Sequence, residues 1–184
     1  AQMDLELRDK VAVITGGSRG IGKAIARELL IEGAKVAICS RNEQEIQAAA
    51  ADLQTETGGD VEGIEADTSN RNAIENLIVR TMDRFGRLDI VVNNAARLGG
   101  TGGPEDLANV SDEMILGDFE TKVLGYIRLI RAAVPHMEKN GWGRIVNIGG
   151  MSARMPTGTS TGMRNAAIVN ATKYIANEVG GKGI

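Results

Sequence analysis

The residues with the clearest chemical purpose are Gly16, Ser18, Arg19, Gly20, Ile21 and Gly22, within the run Thr15-Gly16-Gly17-Ser18-Arg19-Gly20-Ile21-Gly22. The run directly follows the apolar stretch Val11-Ala12-Val13-Ile14. A strand that ends in glycines and turns into a helix exposes backbone N–H groups and the positive helix end, which together bind anions. In such a turn Gly16 permits the tight bend and Gly20 lets a pyrophosphate approach the backbone. Gly22 lets the helix pack closely on its strand. A glycine triplet alone is a weak signal, because connectors without ligands carry it too. Here a strand precedes it, a helix follows, and Lys35-Val36-Ala37-Ile38 supplies a second strand, the context a dinucleotide site requires.

The residues beyond that second strand speak to which dinucleotide. A carboxylate there would hydrogen-bond the adenosine ribose hydroxyls and favour NAD; this chain has Ser40-Arg41-Asn42 instead. Arg19 lies on the facing side of the glycine turn. Two guanidiniums and a hydroxyl suit a 2′-phosphate, since Arg offers a planar fork to phosphate oxygens. NADP is therefore expected ahead of NAD.

Other reactive side chains are few. Cys39 is the only cysteine and cannot form an intrachain disulfide, which fits a reducing cytoplasm. It ends the second strand, where a small buried hydrophobe is the expected role. The single His136 has no cluster of cysteines or carboxylates around it in sequence, so no zinc site is expected. With 184 residues and a formal charge of −3, the chain fits one domain and lacks a nucleic-acid binder's basic face. No apolar run reaches the roughly 18 residues of a membrane span. The opening Ala1-Gln2-Met3 reads as a tag remnant before a natural Met3.

These groups need elements to hold them, and the pattern supplies strands alternating with helices. Strands are expected at Lys10–Thr15, Lys35–Ser40, Val61–Ala66, Leu88–Val92 and Arg144–Ile148. A helix on Ile21, Ile25 and Leu29 runs up to Gly33, and another from about Glu43 to Leu53. Ser69 or Asn70 caps a third on Ile74, Leu77, Ile78, Val79 and Met82. Long helices are expected over Asp118–Lys139, loosened late by Pro135, and over Thr161–Val179. Arg97–Glu105 reads as a glycine-rich loop at the rim of a ligand crevice. Alternation of this kind argues for α/β class, a doubly wound parallel sheet in three layers, α/β/α.

With Thr15–Gly22, Asn93-Asn94-Ala95 and Gly143-Arg144-Ile145-Val146-Asn147-Ile148 in that order, the chain resembles the short-chain dehydrogenases/reductases from Leu7 to Ile184. The resemblance implies a Rossmann-like fold, use of NADP or NAD, and oxidation of alcohols or reduction of carbonyls. It also implies further C-terminal strands beyond Ile184, so the single domain 1–184 reads as incomplete at its C-terminus. Asp67 and Thr68 match the family's adenine-contacting pair, and Asn93, Asn94 and Ala95 match its cofactor-side motif, with Ala96 in place of its last glycine.

The catalytic positions depart from the family. Its Asn falls at Lys122, its Ser at Gly150, its Tyr at Thr161 and its Lys at Asn165. A phenol titrating at about 10 can be lowered by a neighbouring ammonium, whereas an aliphatic hydroxyl starts far higher. Gly150 has no hydroxyl to offer an oxyanion. The exchange is reciprocal, however. Lys122 and Asn165 are expected either to face each other and hold the nicotinamide ribose, or Lys122 to be a solvated helix lysine. Ser152, Ser160, Arg154 and Arg164 are the nearby polar residues, each read more readily as a surface or loop residue. Tyr126, one turn from Lys122, is read as core or interface packing.

Two functions remain open on these residues. One is a cytoplasmic oxidoreductase acting on a small-molecule carbonyl or alcohol through a rearranged site. The other is a dinucleotide-binding sensor or structural oligomer partner without chemistry. A homo-oligomer, dimer or tetramer, is expected through the two long helices, with no nucleic-acid or membrane partner.

Overall fold

Every residue of β1 (Val11–Thr15) is buried, because helices cover both faces of the sheet it centres. A strand covered on both sides needs no polar alternation, which is why it reads as an unbroken apolar run. The computed structural model describes residues 4–96, 107–155 and 158–184. The expected loop at 97–105 and the start at 1–3 lie outside the described residues.

The other strands are β2 (Lys35–Ser40), β3 (Val61–Glu65), β4 (Ile90–Asn93) and β5 (Arg144–Asn147). All pair in parallel, in the order β3-β2-β1-β4-β5. The helices are α1 (Gly20–Ile31), α2 (Glu43–Thr57), α3 (Arg71–Phe85), α4 (Asp112–Asp118), α5 (Gly125–Asn140) and α6 (Thr159–Val179). Strand alternation divides the core. Ala12, Ile14, Val36 and Ile38 pack with Ala26 and Leu30 of α1 and Ile46 and Leu53 of α2. Val13, Ala37, Cys39 and Val91 pack with Ile74 and Leu77 of α3 and Leu129 and Met137 of α5. The three layers are as expected.

Several helix faces differ from expectation. Gly22, Ala26 and Leu30 are the buried side of α1, and Ile21 is 63% exposed. The stripe sits one residue over because Gly22 must face the strand. Val79 likewise points outward on α3. Asn70 is that helix's cap, accepting from Ala73 N at 3.2 Å. α2 runs past Leu53 to Thr57, where Gly58 in the left-handed region ends it. α5 continues through Pro135 to Asn140.

The larger difference lies ahead of α5. The helix expected from Asp118 begins at Asp112 instead, capped by Ser111, which accepts from Met114 N at 3.3 Å. Between α4 and α5 the backbone widens into a π-helical turn, Phe119–Leu124. Such turns insert a residue into the helical ladder and often mark functional sites.

At the sheet's N-terminal edge, Trp142 lies between two cations. Lys10 Nζ is 4.3 Å from its ring centroid and Arg144 Cζ 4.6 Å. β5 forms an outer edge of the described sheet, with Val146 46% exposed.

Candidate functional site

The strand order reverses direction at β1, whose neighbours are β2 on one side and β4 on the other. Their diverging connections open a crevice at the strands' C-terminal ends, where ligands bind in open α/β sheets. The glycine turn lies there. Thr15 Oγ1, fully buried, accepts from Asn94 N and Ala95 N, both at 3.0 Å. Asn94 Nδ2 in turn donates to Thr15 O at 3.0 Å and Gly16 O at 3.1 Å. Asn94 and Ala95 thus brace the turn from the β4 side. Asn93 is fully buried and donates to Asn147 Oδ1 at 2.9 Å, joining the ends of β4 and β5.

The turn has the shape of an anion cradle. Gly20 has φ +56°, and a Cβ there would meet nothing within 4 Å. At Gly22 a Cβ would lie 2.3 Å from Gly16 O, so only glycine allows the helix this close to the turn. Arg19 occupies the N-cap of α1 and makes no side-chain hydrogen bond to the first turn. Asn42, Asn70 and Ser111 do cap their helices. The first N–H groups of α1 are thereby left for a ligand. A dinucleotide pyrophosphate fits this arrangement.

Around it stand the other expected cofactor residues. Arg19 and Arg41 are exposed and Ser18 and Ile21 lie in the same turn. Ser40 Oγ donates to Asn42 O at 3.2 Å. Asp67 is engaged with Ser69, accepting from its N at 2.9 Å and its Oγ at 2.7 Å. Thr68 is buried and donates to Thr121 O at 3.2 Å, tying the end of β3 to the π-helical turn. Gly125 packs against Thr68, with a Cβ position 3.0 Å away. Cys39 is fully buried, and burial pushes its thiol up to about 12, as expected of a core residue.

The rearranged positions come together. Lys122 Nζ donates to Asn165 Oδ1 at 2.7 Å, and both residues are buried. Lys122 is therefore no solvated lysine. Asn165 Nδ2 donates to Ser152 Oγ at 2.6 Å, which fixes which way the amide faces. Ser152 Oγ donates to Thr161 O at 3.2 Å. Gly150 closes the group from the rim, because a Cβ there would lie 2.5 Å from Asn165 Nδ2. The missing side chain at 150 and the amide at 165 occupy the same space.

Beside this pair lies a second buried cluster that the sequence did not suggest. Asp118 Oδ1 accepts from Arg164 Nη1 and Oδ2 from Ser160 Oγ, each at 2.7 Å. Ser160 and Arg164 were expected at the surface or in a loop; both are buried, one turn apart on the same face of α6. The carboxylate explains this, since a buried guanidinium requires an anion. Asp118 was read only as the start of a helix. Its sequence signal is its place four residues before Lys122, on the same side of the turn. Arg154 is exposed. Tyr126 is 1% exposed, and its OH donates to Ile148 O at 3.2 Å.

Burial, reinforced by the Arg164 charge, draws Lys122 down from 10.5 to about 8, with Asp118 pulling the other way. Burial also raises the Tyr126 phenol, against a smaller opposing pull from Arg164.

A parallel sheet with a glycine turn at its switch point defines the class as a dinucleotide-binding α/β protein. The particular family follows from comparison. The short chain dehydrogenase family matches residues 10–184, and the chain belongs to that family. It is 31% identical over 181 residues to an uncharacterized oxidoreductase of Staphylococcus epidermidis, covering 97% of this chain and 75% of that one. It is 36% identical over 167 residues to a putative ketoacyl reductase of Streptomyces coelicolor, covering 90% and 60%. Among solved structures, L-sorbose reductase from Gluconobacter frateurii, complexed with NADPH and L-sorbose, superposes with TM-score 0.91 at 32% identity, covering 99% and 68%. A metagenomic short-chain oxidoreductase in complex with NADP gives TM-score 0.87 at 30% identity, covering 96% and 79%.

Proposed function

We propose that this short-chain oxidoreductase uses NADP(H) to interconvert a carbonyl and an alcohol on a small molecule, through a rearranged site. The carrying observation is the open first turn of α1, where Gly20 faces empty space and no side chain caps the helix. Gly16 to Gly22 would hold the pyrophosphate, with Asn94 and Ala95 bracing the turn. Arg19 and Arg41 would hold a 2′-phosphate, and Asp67 and Thr68 would border the adenine. Lys122 and Asn165 would hold the nicotinamide ribose. When bound, the cofactor supplies or accepts a hydride. The sorbose reductase and the metagenomic oxidoreductase bind NADPH and NADP respectively, which supports the preference.

The experiment is calorimetric titration with NADPH and NADH at low salt, beside a cofactor-consumption assay over ketones and alcohols. NADPH is expected to bind more tightly. Replacing Arg41 by Gln is expected to weaken NADPH by about 10- to 100-fold, the worth of a charge-assisted hydrogen bond, with NADH unchanged. Tighter binding of NADH refutes the NADP preference.

A second reading, a dinucleotide-binding sensor without turnover, is favoured by one observation: the Tyr126 phenol is buried and bonded to backbone. Binding without consumption supports it. Self-association through α5 and α6 is proposed in either case, and sedimentation as a monomer at micromolar concentration would count against it.

A further inference from the structure

The rim where β1, β4 and β5 end needs a group able to give and take a proton if it is to reduce a carbonyl. Among the described residues, the phenols do not qualify. Tyr126 is buried against Ile148 O, and Tyr174 lies 70% exposed on the outer side of α6. Cys39 is sealed in the core. Asp67 and Asp118 are engaged as acceptors, by Ser69 and by Arg164 with Ser160. His136 sits late in α5, on the turn before Asn140, whose amide donates to Leu88 O ahead of β4 at the opposite edge.

Lys122 remains, and its surroundings are unusual for a buried ammonium. It is held by an amide oxygen rather than a carboxylate, so its charge is oriented but not neutralised. The charged groups facing it are Asp118 from the end of α4 and Arg164 from α6, and these pair with each other at 2.7 Å. From α5 it meets the Tyr126 ring, 5.8 Å from Nζ. Against its amide partner lies Gly150, exposed and without a side chain. Thr68 anchors the turn that carries it to the end of β3, on the cofactor side of the sheet.

We propose that Lys122 is the proton donor of this site, its ammonium giving a proton to the substrate oxygen in carbonyl reduction and its amine recovering one in alcohol oxidation. The assignment rests on the oxidoreductase reading above. In reduction a bound NADPH would supply the hydride to the carbonyl carbon. The C=O π electrons become the new O–H bond to a proton leaving Lys122 Nζ. The amine is left neutral and takes a proton back from water. Asn165 is a positioning residue, fixed by Ser152 so that its oxygen faces the ammonium. Burial places Lys122 near working pH, where a general acid is most effective.

The test combines two readouts on the full chain. Lysine side chains labelled with 13C and 15N are titrated by NMR with NADP present, in the wild type and in Asn165→Asp. NADPH-dependent reduction of ethyl acetoacetate, cyclohexanone and L-sorbose is followed against pH in both, and in Lys122→Met. Lys122 is expected to titrate near 8. In Asn165→Asp the new carboxylate favours the charged form and should move the midpoint upward. The pH limb of kcat/KM, falling as pH rises, should follow the NMR midpoint in both proteins. Lys122→Met should lose turnover by about 100-fold or more at saturating NADPH, beyond any weakening of NADPH from the lost ribose contact.

A Lys122 midpoint in the ordinary lysine range overturns the assignment, as does Lys122→Met turning over within about threefold of wild type. A pH limb that ignores the Asn165→Asp midpoint does the same. NADPH binding with no turnover by the wild type also refutes the donor while leaving the cofactor site standing. Absence of any NADPH binding refutes the oxidoreductase reading itself.

Discussion

Lys122 makes the sign of a pH effect concrete. Its amine is drawn to about 8 in the folded chain from 10.5 when unfolded. Between those values the unfolded chain binds more protons, so stability rises with pH across that window and is lowest below it. The burial penalty at pH 7 is equivalent to roughly 3 kcal/mol, the free-energy measure of such a difference. Lys122→Met removes that penalty but leaves Asn165 Oδ1 without its donor, which costs about 1–2 kcal/mol. The variant should therefore be about 1–2 kcal/mol more stable than wild type in urea unfolding at pH 7, with the gain gone by pH 10.5. Gly150 offers a second residue-level measurement. Gly150→Ala places a Cβ against the Asn165 amide and should cost about 1–3 kcal/mol by overpacking. In an Asn165→Ala background the cost should largely vanish, a coupling that a double-mutant cycle reads directly.

The glycine turn and the π-helical turn show what kinds of element a sequence reveals. The first was legible because every part of it is local: an apolar strand, glycines at fixed offsets, a helix. Its glycines should respond differently. Gly20→Ala meets no atoms and should lower the melting temperature only modestly, about 1 kcal/mol for a left-handed residue, yet weaken NADPH binding at least tenfold. Gly22→Ala collides with backbone oxygen and should prevent the turn from forming, read as loss of the cooperative thermal transition. The π-helical turn was not legible, since its extra residue leaves no periodic mark of its own. α4 carried a usable sign in Ser111 followed by Asp112 and Glu113, a cap with acidic first-turn residues. The polar cluster was hidden for another reason. Asp118 meets Ser160 and Arg164 across 42 and 46 residues of chain, so nothing local announces that a serine and an arginine on α6 will be buried. The reciprocal exchange of Lys122 and Asn165 was visible only because a family pattern gave both positions a meaning.

At the scale of the whole molecule, the five strands and the two-sided core followed from alternation of apolar segments, and the strand order placed the crevice. The family assignment agrees with that architecture.

The clamped indole at the sheet's other end offers a practical dividend. Trp142 is the chain's sole tryptophan, gripped by Lys10 just ahead of β1 and by Arg144 at the start of β5. Its emission is thus an intrinsic gauge of whether the scaffold is intact, placed a full strand length from the glycine cradle. Melting curves followed at this one fluorophore would separate damage to the framework from damage confined to the nucleotide end, without any added dye.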